Sequence, residues 1–300
     1  MHCSAILCAF VLPAASSLGI EPVFGQHKYT EYRAGSLPII IGVPHGGNQR
    51  PNAVADRRFG RTAQDSFTQE IALLIAQECQ RVFQAQPHLI FCHLHRMKVD
   101  CNREIREGAQ GDPLAEKTWA EFHAFVDLAV EHVQTHAGKG LYIDLHGHRH
   151  TEMLVELGYL LSPKDLRALN PSMAERCSIK ELTMERNTDF SELIRGKSSL
   201  GGLLEAHGFG SIPSPSHPAP AITQEYFYGG YNTSRYNSIL KGEVSGIQIE
   251  CPLLGVRDKP EHHTAFAKAL LDSLRDWWKT HCHTELQPYS VLEAEAKPLR

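Results

Sequence analysis

Three hundred residues, 42% of them hydrophobic and 21% charged, carry enough apolar material for a sizeable core and exclude a disordered chain. A formal charge of -4 at pH 7 provides no basic field for nucleic acid. The 18 histidines fall in clusters, so metal ligation is the first chemistry to look for.

In chain order, residues 5–15 (AILCAFVLPAA) form an apolar run of signal-peptide length, followed by small residues at 16, 17 and 19. Residues 1–19 are therefore expected to be a signal peptide on a secreted or extracytoplasmic protein, leaving 20–300 as one domain. The competing reading is an edge strand or helix, since His2 is the only basic residue ahead of the run. No other stretch approaches the roughly 18 apolar residues of a membrane span, so no membrane contact is expected in the mature form. Beyond residue 19 six cysteines remain, an even number that permits disulfides, and no C-x-x-C pair marks a zinc finger. Residues 37–43 (LPIIIGV) predict a strand buried on both faces. A helix follows over 65–83 with Asp65 as its N-cap, then a strand over 88–93. A long helix is predicted over 113–135, its stripe being Trp119, Phe122, Phe125, Leu128, Ala129 and Val133. Strands follow at 140–146 and 154–161, short helices and loops at 162–218, a late strand at 246–250 and a closing helix at 260–281. Strands separated by helices predict a single α/β domain, its mostly parallel or mixed sheet flanked by helices on both faces.

In such a sheet ligands bind outside the carboxyl ends of the strands. Three runs end in reactive residues there: Val43-Pro-His45-Gly-Gly, Ile143-Asp-Leu-His146-Gly-His148 and Ile247-Gln-Ile-Glu250. Two imidazoles and a carboxylate that leave one position open make a catalytic zinc site. A second constellation, Arg96 followed by Asp100-Cys-Asn102-Arg103, offers a guanidinium fork and an amide for a carboxylate ligand, with Asp100 placed to steady an arginine. As a surface loop with scattered charges it would do neither.

Together these motifs resemble the N-formylglutamate amidohydrolase family. The resemblance rests on Pro44-His45-Gly46-Gly47, Asp65, Arg96 with Asp100-Cys-Asn102-Arg103, Ile143-Asp-Leu-His146, the 229–236 loop (GGYNTSRY) and Gln248-Ile-Glu250, in that order. They span about 45 to 255; residues 162–218 contribute nothing to it. The D-x-N-R element is also similar to that of aspartoacylases and carboxypeptidases. What the resemblance implies is a zinc-exopeptidase-like α/β fold over 20–300, one Zn2+ ion, and hydrolysis of an amide in a small molecule or peptide with a free carboxylate. It implies His45, Asp65 and His146 as metal ligands and Glu250 as general base and acid. Arg96 would be a further electrophile or anchor, and Asn102 and Arg103 the carboxylate clamp. Gly230, Tyr231 and Thr233 of the glycine-rich loop would shape the pocket.

One departure concerns the carboxylate ligand. Carboxypeptidases and aspartoacylases draw it from H-x-x-E, whereas the residue three after His45 is Asn48. Asp65 is the expected replacement and Glu70 the alternative. His148 and His150 are expected at the rim or behind the ligands, and His262 and His263 in solvent. Two other classes stay open: a non-catalytic metal- or anion-binding protein of the same fold, and a cysteine hydrolase built on Cys101 or Cys251.

Overall fold

The computed structural model describes residues 21–183 and 189–290. The expected signal peptide lies outside the described residues. Eight strands form one sheet: β1 (Val23–Phe24), β2 (Thr30–Arg33), β3 (Ile39–Val43), β4 (His88–Cys92), β5 (Gly140–His148), β6 (Val155–Gly158), β7 (Ser211–Ile212) and β8 (Val244–Pro252). The helices are α1 (Thr68–Phe83), α2 (Ile105–Gly108), α3 (Pro113–His136), α4 (Pro163–Arg167), α5 (Lys180–Thr183), α6 (Phe190–Arg195), α7 (Leu200–Ala206), α8 (Tyr231–Arg235), α9 (Ser238–Lys241) and α10 (Pro260–His281).

The strand order is β1-β2-β4-β3-β5-β8-β6-β7. Its centre, β4-β3-β5-β8, is parallel, while β2 on β4 and β6 on β8 run antiparallel, so the sheet is mixed. The two strands ahead of residue 37 escape period-two reading because β1 has two residues and β2 carries charges at Glu31 and Arg33.

Alternation along the central strands divides the core in two. Ile39, Ile41, Val43, Leu141, Ile143, Leu145, Ile247 and Ile249 face α1 and α10. Ile40, Ile90, Tyr142 and Val244 face α3 with Phe122, Val126, Ala129 and Val133. Helices thus cover both faces. Leu128 falls off the stripe of α3 and is 41% exposed, so it does not belong to the core as expected. Asp65 is not the cap of α1 either. The helix begins at Thr68, after Phe67 in a left-handed conformation, and the Asp65 side chain is turned elsewhere. Cys79, Cys92, Cys101, Cys177 and Cys251 are buried thiols, so no disulfide joins them. Among the described residues no helix is long and apolar enough to cross a membrane.

The chain leaves β3 through α1 to reach β4 on one side, then passes through α3 to β5 on the other. The carboxyl ends of β3 and β5 therefore part at a topological switch point, where a crevice opens.

Candidate metal centre

That crevice is a cavity of about 340 Å³. Its floor follows from period two on the α3 face of the sheet, where Tyr142, Asp144, His146 and His148 alternate along β5 and Gln248 and Glu250 along β8. The register sets His146 directly beside Glu250, and Glu250 beside Glu156 of β6. His45 enters from the turn after β3. The chain at Gly47 runs against the backbone of Cys92 and His93, a space that a Cβ would overlap. Asp65 comes from the turn before α1, its N–H donating to His45 O at 3.0 Å.

Three ligand atoms converge. His45 Nδ1 and His146 Nδ1 are 3.1 Å apart, and Asp65 Oδ2 lies 3.3 Å from the first and 3.0 Å from the second. A tetrahedral zinc with ligands at about 2.0–2.1 Å has ligand–ligand edges of roughly 3.3 Å, so the triangle matches one face of that polyhedron. The outer ring nitrogens agree. His45 Nε2 donates to Asp100 Oδ1 at 2.6 Å, which leaves its Nδ1 lone pair aimed at the centre. On His146, Nε2 sits 3.0 Å from Asn102 Nδ2, with Asp144 Oδ2 at 3.0 Å as an ion-pair contact. His45, Asp65 and His146 are all buried and form a group able to hold a metal ion.

Electrostatics call for positive charge here. Burial pushes the Asp65 carboxyl up, but hydrogen bonds and charge from His146 and His45 hold it well below the usual carboxylate range. Burial lowers His146, yet Asp144, Asp65 and Glu250 together raise it well above the ordinary imidazole value. The set therefore favours a proton or a cation among its nitrogens. Asp100, buried, is likewise held far down by His45, Arg96 and Arg57. It also accepts from Arg96 Nε at 2.9 Å and from the Asn102 N–H at 2.9 Å, so it is fully engaged in orienting the site.

Glu250 is 5% exposed, and burial raises its carboxyl to about 8. Its Oε1 accepts from Gln248 Nε2 at 3.0 Å, while Oε2 has no hydrogen-bond partner among the described residues. Arg96, Asn102, Arg103 and Gly230 also line the cavity. The Asn102 amide is already engaged, its Oδ1 taking the Asn232 N–H at 2.8 Å while its Nδ2 faces His146. Arg103 donates to Glu107 and to Asn102 O and stays partly open to the cavity.

Two of the expected pocket residues lie elsewhere. Tyr231 packs on Trp119 and His123, and Thr233 is buried inside the following turn; neither lines the cavity, because α8 starts at once and turns them toward α3. Glu70, the alternative ligand, is exposed in the first turn of α1, and it is Asp65 that groups with the two histidines. His148, His150 and Glu156 form a second group of metal-ligand type. There, however, His148 Nε2 donates to Leu154 O and its Nδ1 accepts the His150 N–H, while His150 Nδ1 pairs with Glu156 at 2.7 Å. That group is already satisfied by hydrogen bonds. His263 is 6% exposed against Phe67 rather than in solvent, because the turn before α1 folds over it.

Arg61, Gln64, Arg149, Phe227 and Arg257 line the cavity without having been expected. Arg61 and Arg149 lie in loops with no periodicity to read. Asp144 was within reach of pattern, standing two residues before His146 on the same strand face.

No known family description matches the chain, and no curated protein matches it. Among solved structures it is similar to N-formylglutamate amidohydrolase from Ralstonia eutropha JMP134, with a TM-score of 0.53 at 14% identity over 85% of this chain and 99% of that one. A gene product from Agrobacterium tumefaciens aligns with a TM-score of 0.49 at 12% identity over 83% of this chain and 94% of its own. The first likeness is one of fold, and it is the fold that the motif resemblance implied.

Proposed function

We propose that this chain is a zinc-dependent hydrolase of an amide bond in a small substrate bearing a free carboxylate. The observation that carries the reading is the near-equilateral triangle of His45, His146 and Asp65 ligand atoms beside a buried Glu250 whose Oε2 is uncommitted. The name of the Ralstonia neighbour supports amide hydrolysis.

One zinc ion held by the three residues supplies Lewis acidity for a substrate carbonyl and for water at neutral pH. The chain's own residues do the rest. Glu250 takes a proton from the attacking water as the new C–O bond forms at the carbonyl carbon. It then delivers that proton to the amine nitrogen as the C–N bond breaks, leaving a carboxylic acid and an amine. Burial strengthens Glu250 as a base, because a carboxylate whose value is raised holds the abstracted proton until the amine nitrogen takes it. Arg96, anchored through Nε on Asp100, faces the oxyanion, and Arg103 at the more open wall takes the substrate carboxylate. N-acyl amino acids, including N-formylglutamate, short peptides and γ-glutamyl compounds share that chemistry. The apolar run at 5–15 supports export of the mature chain.

Metal analysis of purified protein should return one zinc per chain, and a chelator should abolish hydrolysis of N-acyl amino acids until zinc is restored. Glu250→Gln should retain the zinc and lose at least 100-fold in kcat. Unchanged turnover would remove Glu250 as base, and zinc binding without turnover of any amide by the wild type would leave a binding protein. Equal turnover of carboxylate-blocked substrates would remove the clamp.

A further inference from the structure

Arg257 is a buried cation, 2% exposed, with no carboxylate at ion-pair distance among the described residues. Its guanidinium is spent on backbone instead. Nε donates to Cys251 O at 2.9 Å, Nη1 to Ser66 O at 2.7 Å and Nη2 to His148 O at 2.8 Å. These carbonyls belong to three segments remote in sequence. Ser66 follows Asp65, Cys251 follows Glu250, and His148 stands two residues after His146. One rigid fork therefore ties together the backbones that present two metal ligands and the base.

Local structure is arranged around this contact. After β8 the chain reverses through Gly255, at φ +82, so that Arg257 returns beneath the end of its own strand before Pro260 opens α10. The guanidinium lies flat against β5 at Gly147, where a Cβ would collide with it. The Asp65 turn also needs an external hold. Phe67 adopts φ +70, a sterically unfavourable backbone for an aromatic residue, and such conformations persist only where surrounding contacts over-determine them. Arg257 on Ser66 O is one such contact.

We infer that Arg257 is a positioning residue of the metal centre, setting Asp65, His146 and Glu250 at their mutual distances through the main chain. The inference rests on the metal reading above. A lysine keeps the charge but, as a point donor, cannot hold three carbonyls in one plane. Groups that orient ligands from behind typically govern metal affinity by 10–100-fold.

The test compares wild type, Arg257→Lys and Gly147→Ala by zinc affinity in chelator competition, with circular dichroism to confirm folding. Gly147→Ala leaves the arginine in the chain but displaces it, and so covers the case in which Arg257→Lys does not fold. Each folded variant should bind zinc about 10–100-fold more weakly. The double variant should be little worse than either single one, since both break the same contact. Where substrate is turned over, kcat should fall with KM nearly unchanged. Wild-type zinc affinity in a folded Arg257→Lys or Gly147→Ala chain would overturn the inference and leave the metal centre standing. A wild-type chain that binds no zinc would instead overturn the metal reading and the inference with it.

Discussion

At the scale of single residues, each polar group of the candidate centre is held by a second one. His45 is fixed by Asp100, His146 by Asn102 and Asp144, and Asp100 in turn by Arg96. Glu156 obeys the opposite rule. Burial raises its carboxyl to about 8, only partly offset by the Phe227 N–H. A carboxyl whose folded value lies above its unfolded one carries no penalty while both states are protonated at low pH. The folded state loses stability as pH rises from about 4.5, where the unfolded chain ionises, through about 8, where the native group must ionise too. Glu156→Gln mimics the neutral form, donating to His150 and accepting from Phe227. In the metal-free protein it should match wild type near pH 5 and exceed it by roughly 2–4 kcal/mol above pH 8, by denaturant unfolding at the two pH values. A variant less stable than wild type above pH 8 would show that Glu156 is needed ionised.

At the scale of elements, α1 and α10 close one face of the sheet and α3 the other, so stability and chemistry are carried by different surfaces. Trp277 of α10 is fully buried in the core shared with α1, on the face of the sheet opposite the metal centre. Trp277→Ala should cost about 3–5 kcal/mol in denaturant unfolding. Zinc affinity of the folded variant should stay within twofold, measured by chelator competition; a larger loss would mean that α10 packing sets the site geometry directly. Of the helices, the three long ones, α1, α3 and α10, are readable from their periodicity, and α10 spans the expected 260–281; α2, α8 and α9 are too short to show a period. The start of α1 was not. Asp65 reads locally as a cap, and only its distance to His45 and His146 shows that its carboxylate serves them instead.

At the scale of the whole molecule, the site lies where the chain reverses direction across the sheet, between the carboxyl ends of β3 and β5. Its candidate ligands come from the turn after β3, the turn before α1 and the end of β5, segments that an unfolded chain does not hold together. On the proposed reading, metal binding is thus linked to folding. Zinc at 100 times its dissociation constant should stabilise the protein by about 2.7 kcal/mol. In a thermal melt this corresponds to roughly 3–5 °C, with no shift from magnesium, whose preference is for oxygen ligands. A melting curve indifferent to zinc would count against the His45–Asp65–His146 centre.

The sequence by itself determined the class of fold, because strand and helix periodicities are local and the chain repeats them plainly. It also marked His45, His146 and Glu250 as candidates, since each ends an apolar run whose burial is dictated by its own neighbours. What only the tertiary structure decided was the company these residues keep. Tyr231 and Thr233 turned away from the cavity, Asp65 rather than Glu70 joined the two histidines, and Arg257 reached three carbonyls far apart along the chain. Those outcomes depend on distances through space, and neither periodicity nor spacing along one polymer encodes them.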